Sequence, residues 1–252
     1  MDGGLLAILF ATGFTGGVIT ALVGGASLVT FPILLALGMS PVAAIASNIV
    51  ALSPANLMAA VADRAKLPPR TRATDWLMLG CLVAGGAGAT LLLATPERWF
   101  QGIVPALIGF ATVLFAYAET IKRAVAKRRK VQGDLGGIVL PATVLSVYGG
   151  YFGAGMGVMY LAILSLGGIS DLRAANALKN LLGAANAAAV VAIFIVTDSV
   201  VWPAALTMLA GALIGGYGGG YAMRFIPPFA FRWGVTAIGA AMTLIYAWRY
   251  WF

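Results

Sequence analysis

The chain consists of long apolar runs separated by short polar segments. Residues 3 to 62 contain no charged side chain. Further uncharged runs cover residues 76–96, 99–118, 135–170, 180–197, 199–223 and 233–248. A transmembrane helix needs about 20 consecutive apolar residues, so the first run alone holds more than one crossing. The pattern predicts an all-α integral membrane protein that crosses the bilayer many times.

Prolines, glycines and charges divide the apolar runs into predicted helices. In the first half these are 5–23, 27–38, 41–62, 74–95 and 99–121, and in the second half 136–152, 157–167, 172–197, 200–222 and 229–250. The second helix of each half is too short to cross, because 12 residues rise about 18 Å and the hydrocarbon core is about 30 Å thick. Each half therefore contains one predicted broken helix, named 1a/1b and 5a/5b.

The two breaks are rich in glycine. They lie in "TALVGGASLVTFP" (20–32) and "GYFGAGMGVMYLA" (150–162). Paired broken helices in corresponding positions indicate the substrate site of a transporter, and the N–H groups at a helix start favour anions. The alternative is that these glycines only permit close helix packing. We prefer that alternative for Gly85, Gly86, Gly88 and residues 215–220.

The two halves align at an offset of 130 to 132 residues. "LGMSPVAA" (37–44) matches "GGISDLRA" (167–174), Asn56 matches Asn186, and "GCLVAGGAG" (80–88) matches "GALIGGYGG" (211–219). This order of matches predicts an internal duplication. We therefore divide the chain into a first transmembrane repeat, a basic cytoplasmic linker and a second transmembrane repeat, at residues 1–121, 122–135 and 136–252.

The orientation of the two repeats follows from their charges. If each short helix merges with its predecessor, the halves have four crossings and are parallel, whereas separate passes give five crossings and inverted halves. Two loops, "DRAKLPPRTR" and "KRAVAKRRKVQGD", hold ten of the sixteen Lys and Arg residues and are cytoplasmic in both arrangements. Inversion places 13 basic loop residues inside and 2 outside, against 11 and 4 for parallel halves. We therefore predict inverted five-plus-five repeats, with both termini outside.

Polar residues inside the predicted spans cluster in the helix after each break. In the second half Asn176, Lys179 and Asn180 share one helix face. A lysine at the bilayer centre costs about 2.5–3.5 kcal/mol or more, so Lys179 needs a reason to be there. One reason is a fixed cation for an anionic substrate. The alternative is structural pairing with Asp171 or Asp198.

These observations define a candidate substrate site. We expect backbone N–H groups of the two breaks and polar side chains of the following helices to bind an anion. The residues are Gly24, Gly25, Ser27, Asn48, Gly153, Gly155, Gly157, Asn176, Lys179 and Asn180.

Composition limits the chemistry. Hydrophobic residues make up 61% of the chain and charged residues 10%, against about 25% charged in soluble domains. There is no histidine and only one cysteine, Cys81, so thiolate metal sites and disulfides within the chain are excluded. We predict no cofactor, no bound metal and no enzyme activity. The net charge of +8 is assigned to membrane topology and not to nucleic acid.

The same segments resemble a known family. "GGVITALVGGASLVTFPILLALGMSPVAAIASN" and "GGYFGAGMGVMYLAILSLGGISDLRAANALKNLLGAANAAAVVAIF" are similar to the two repeats of the sulfite exporter TauE/SafE family, also described as 4-toluene sulfonate uptake permeases. The turn "GGAS" is poorer in glycine than the family pattern. The resemblance implies a multi-pass protein of the bacterial inner membrane that transports sulfite, a sulfonate or sulfoacetate.

The sequence as a whole predicts a secondary transporter of a small, sulfur-containing anion. Export is favoured, because an inside-negative potential drives anions outward by about 2.3 kcal/mol per charge per 100 mV. A passive anion channel and a non-transporting membrane scaffold are the alternatives. The expected partners are the anion and the lipid bilayer, and the sequence leaves a homodimer open.

Overall fold

The computed structural model describes residues 3–22, 25–127, 135–169, 171–222 and 228–251, and these residues form helices and turns without a strand. The α-helices are α1 (Gly3–Leu22), α2 (Ser27–Ala36), α3 (Pro41–Ala62), α4 (Arg72–Ala94), α5 (Glu97–Ala116), α6 (Ala118–Lys127), α7 (Val139–Tyr151), α8 (Met156–Leu166), α9 (Leu172–Val196), α10 (Trp202–Ala222) and α11 (Pro228–Trp251).

The helices agree with the predicted ones within a few residues, except in one place. The prediction of a single helix over 99–121 is wrong, because α5 ends at Ala116 and α6 begins at Ala118. The helix α6 extends into the segment that we assigned to the basic linker. It carries Glu119 in its first turn and basic residues beyond it.

Short polar side chains and glycines fix the helix ends. The Ser40 hydroxyl accepts a hydrogen bond from Ala43 N at the start of α3 (3.4 Å), where Pro41 occupies the first position. The helices α2 and α8 both end before a glycine in the left-handed region, Gly38 (φ +85°) and Gly168 (φ +86°), as helix C-termini commonly do. Because α2 and α8 end at these glycines, the chain can change direction before α3 and before α9.

Five of the described helical segments are long and apolar enough to cross a membrane. They are Gly3–Thr20, Pro41–Ala62, Arg72–Ala94, Glu97–Ala116 and Arg173–Val196. Large apolar side chains on the outer helices face outward, among them Leu140, Tyr217 and Leu244. The short helix α2 is instead largely buried, with Phe31 and Leu34 almost inaccessible. The molecule is a multi-pass membrane protein with the short helices α2 and α8 inside the bundle.

Two helix pairs approach so closely that only glycine fits between them. The helix α4 runs along α7, and a Cβ atom added to Gly150 would overlap the carbonyl oxygen of Gly85. One added to Gly88 would overlap the carbonyl oxygen of Val147. The pair α1–α10 is built in the same way, with glycines against backbone at Gly13, Gly17, Gly211 and Gly215. For these glycines the packing interpretation is supported.

The two halves have the same backbone conformation at matched positions. Gly25 (φ +83°) and Gly155 (φ +78°) are 130 residues apart, as are Gly38 and Gly168. In addition, Leu28 N donates to the carbonyl of Gly25 (3.0 Å) as Val158 N does to that of Gly155 (3.1 Å). This agreement supports the predicted duplication.

Corresponding helices of the two halves pack antiparallel. The indole nitrogen of Trp251, near the end of α11, donates to the carbonyl of Gly102 near the start of α5 (2.8 Å). Farther along, Gly239 of α11 lies against Thr112 of α5. Parallel repeats would direct α5 and α11 the same way across the membrane. The packing therefore supports inverted repeats, which stay a prediction about topology.

We expect cysteine labelling to place the N-terminus outside. In a Cys81→Ser background, Gly3→Cys should react with a membrane-impermeant maleimide added to intact cells, while Ala65→Cys in the first basic loop should react only after the membrane is opened. Labelling of Gly3→Cys only in opened cells would contradict the five-plus-five arrangement.

We also expect Gly150→Ala to lower the melting temperature of the detergent-purified protein. The added methyl group must displace the backbone of α4, and overpacking costs about 1–3 kcal/mol. The matched control is Gly102→Ala, because no atom lies within 4 Å of the added Cβ. An equal effect of both substitutions would contradict the close-packing role of Gly150.

Candidate functional site

The two helix breaks meet at one turn of α5. A Cβ atom added to Gly25 would lie 2.9 Å from the ring of Phe115, and the nearest neighbours of one added to Gly155 are Leu114 and Ala111, at 3.6–3.8 Å. Positions 111 and 115 are separated by a rise of about 6 Å along the helix. The structure therefore brings the first and second breaks to the same place in the bundle.

Aromatic side chains seal this junction. The rings of Phe31 in α2 and Phe152 at the second break are 5.3 Å apart in an edge-to-face arrangement, and both residues are buried. Tyr148 also packs edge-to-face against Phe152, and its hydroxyl donates to the carbonyl of Ala154 (2.7 Å). Non-helical backbone at membrane depth needs such protein cover.

The second break presents backbone N–H groups at the start of α8. Gly153 and Gly155 both adopt left-handed conformations. Met156 N donates to the carbonyl of Gly153 (3.3 Å) and Val158 N to that of Gly155 (3.1 Å). Between them, the N–H of Gly157 has no backbone acceptor among the described residues. Such free donors are normal in the first turn of a helix, and they make it a site for anions.

The first break is tied to α3 by Asn48. Gly24 lies outside the described residues, whereas Gly25 and Ser27 lie within them. The Asn48 amide nitrogen donates to Ser27 Oγ (3.0 Å), and its amide oxygen accepts from Thr30 Oγ1 (2.6 Å). Asn48 is buried. Its contacts make it a positioning residue that holds the first turn of α2.

Lys179 lies beside the second break. Its Nζ donates to Asn176 Oδ1 (2.7 Å), and its aliphatic stem runs along Gly157, where an added Cβ would be 3.6 Å from Lys179 Cδ. Lys179 and Asn176 are both half-buried. Three residues of the predicted site, on two helices, are therefore in one place.

Asp171, one of the two expected structural partners of Lys179, has a different contact in the structure. Asp171 caps α9, with its carboxylate accepting from Arg173 N (3.1 Å). Across the described part of the chain, no ion pair joins Lys179 to Asp171 or Asp198. The ion pairs found there join Lys66 to Asp63, Arg70 to Asp75 and Arg123 to Glu119.

Asn180 is a buried amide that lacks a described hydrogen bond. It is the next residue after Lys179 in α9, and it is only 7% exposed. Among the buried polar side chains of the described residues, it is the one for which the structure gives no hydrogen-bond partner. Buried polar groups are almost always hydrogen-bonded, to protein, water or ligand. The Asn180 amide therefore has hydrogen-bonding capacity that the described protein groups do not use.

A second polar cluster was not predicted from the sequence. Asn186 Nδ2 donates to the carbonyl of Ser146 (2.8 Å), and the hydroxyls of Ser146 and Tyr160 lie 2.6 Å apart. The cluster connects α9, α7 and α8 through buried groups. Tyr160 was missed because an aromatic residue within an apolar helix is typical of a hydrophobic core.

Two open cavities lie among the described helices, and only the larger one is lined by a residue of the junction, Tyr148. One of about 500 Å³ lies between α4, α5 and α7, and the other, of about 260 Å³, lies against α4 and α9. Neither is lined by a residue of the predicted site. Within the described residues, no three His, Cys, Asp or Glu side chains gather as a metal site requires.

The chain is similar to several curated membrane proteins. The probable membrane transporter protein of Haemophilus influenzae is 29% identical over 212 residues, which cover 84% of this chain and 82% of the relative. The probable membrane transporter protein YfcA of Escherichia coli is 26% identical, covering 84% and 78%. The probable membrane transporter protein ORF9 of a Sinorhizobium species is 28% identical, covering 87% and 84%. No solved structure gives a significant match.

The family comparison extends over almost the whole chain. The model of the family described as "Sulfite exporter TauE/SafE" matches residues 9–246, which include both helix breaks and Lys179. The curated relatives that match 84% of this chain are named as probable membrane transporter proteins. The chain therefore belongs to the sulfite exporter TauE/SafE family of membrane transporters.

Proposed function

We propose that this protein is a secondary transporter that exports a small, sulfur-containing oxyanion such as sulfite, a sulfonate or sulfoacetate. The observation that carries the proposal is the position of Lys179 beside Gly157, which puts a cation at the first turn of a broken helix. The family description supports a sulfur-containing substrate.

The electrostatics of this corner favour an anion. The start of a helix carries roughly half a positive charge, and the ammonium group of Lys179, which donates to Asn176, adds a full positive charge. The buried amide of Asn180 supplies a further donor. An oxyanion bound here would accept from Gly157 N–H, Lys179 and Asn180 together.

In this proposal the first break positions backbone N–H groups and supplies no charged side chain. Asn48 holds Ser27 and Thr30, so the start of α2 is fixed where it meets the second break at α5. The backbone N–H groups of Gly25 and Ser27 would then complete the site. Export follows from the membrane potential, which drives an anion outward without a coupled ion.

Other functions make different predictions. A passive channel would give flux that rises linearly with anion concentration, without counterflow. A scaffold would give no flux, and an enzyme would convert the anion instead of moving it. Saturable flux and counterflow in proteoliposomes would support the transporter.

Lys179→Gln should reduce sulfite flux in proteoliposomes by about tenfold or more, because a hydrogen bond to a charged group contributes about 1.5–3 kcal/mol. Lys179→Arg should retain part of the flux, since the charge remains but the guanidinium geometry differs. Lys66→Gln is the matched control, as this exposed lysine pairs with Asp63 in a loop. Wild-type flux in Lys179→Gln, with unchanged melting, would refute the site.

Ser27→Ala and Asn48→Ala should show that the side-chain contact is structural. Each substitution should lower the melting temperature and the free energy of unfolding. The double variant should lose about 0.5–1.5 kcal/mol less unfolding free energy than the two single variants together, because one hydrogen bond contributes about that much. Anion affinity should survive Ser27→Ala, because alanine keeps the backbone N–H. Strictly additive losses would contradict the role of Asn48 in holding α2.

A further inference from the structure

A cavity at the first basic loop combines a charged edge with an apolar wall. It has a volume of about 260 Å³ and lies where α4 begins. The residues that line it are Arg70, Asp75, Met78, Leu79, Leu82 and Ala185. Arg70 precedes α4, the next four residues are on α4, and Ala185 is on α9.

The charged edge is held in place by an ion pair. Arg70 Nε donates to Asp75 Oδ1 at 2.7 Å. This bond uses one side of the guanidinium group, and the structure describes no contact of its terminal nitrogens with the chain. Arg64 in the preceding loop and Arg72 at the start of α4 are both exposed. Residues 63–75 carry four basic and two acidic side chains, so the segment that includes the charged edge has a net positive charge.

The apolar wall descends along α4 from this edge. Leu79 and Leu82 follow Asp75 by one and two turns, and both are substantially exposed at 49% and 40%. The seven residues from Asp75 to Leu82 rise about 10 Å. The cavity thus changes from charged to apolar along the helix axis, which is the direction in which a lipid lies.

We propose that this cavity binds an anionic phospholipid, with the phosphate on Arg70 and an acyl chain against Leu79 and Leu82. Basic pockets between transmembrane helices on the cytoplasmic side are suited to anionic head groups, and the basic loop is assigned to that side. A soluble anion would gain nothing from the apolar wall. Because Ala185 belongs to α9, the lipid touches the helix that carries Lys179. The site is independent of the proposed transport function.

Native mass spectrometry of the full-length protein tests this binding. With equal amounts of phosphatidylglycerol and phosphatidylcholine of identical acyl chains, the protein should retain phosphatidylglycerol preferentially. Arg70→Gln should weaken its retention about fivefold, the equivalent of about 1 kcal/mol for one basic residue near the bilayer surface. The matched control is Arg98→Gln, an exposed arginine in the first turn of α5, which should retain the lipid as the wild type does.

A second variant separates the apolar wall from the charge. Leu82→Trp should fill the cavity and weaken retention of phosphatidylglycerol without changing any charge. Inorganic phosphate in excess should fail to displace the lipid. Equal retention of both lipids, an equal loss in Arg98→Gln, unchanged retention in Leu82→Trp, or displacement by inorganic phosphate would each overturn the proposal.

Discussion

The need to cover polar backbone inside a bilayer controls this structure. Without water, every interrupted helix must find protein partners for its exposed N–H and C=O groups or line a cavity. The chain interrupts two helices and brings both interruptions to the same turn of α5, where Phe115 covers Gly25 and Ala111 lies beside Gly155. One turn of α5 therefore packs against both breaks. The same packing brings the starts of α2 and α8 to one place.

Glycine serves two separate purposes in this chain, and the sequence alone does not show which glycine serves which purpose. At Gly155 it permits a left-handed turn, whereas at Gly150 it permits contact with the backbone of Gly85. The close α4–α7 contact leaves little space for polar groups between these helices. Asn186 fills the adjacent gap by donating to the carbonyl of Ser146, so this amide, unlike Asn180, is occupied within the protein.

The sequence predicts helix positions well and side-chain partners poorly. Long apolar runs and glycine breaks locate α2 and α8 almost to the residue, because the bilayer permits few other conformations. The end of α5 at Ala116 escapes prediction, since no glycine or proline precedes α6. Asn48 could be assigned to the region of the site but not to its contact with Ser27, because the partner depends on how α2 packs on α3.

The two halves share a backbone and differ in charge. At the first break neutral side chains hydrogen-bond to one another, as Asn48 does to Ser27 and Thr30. At the second break Lys179 carries a charge, and Ile49 stands at the matching position of the first half. A second lysine there would cost another 2.5–3.5 kcal/mol or more in the membrane. A site for one small anion needs a single cation, and the second repeat supplies it as Lys179. The first repeat then only has to hold its backbone N–H groups in position.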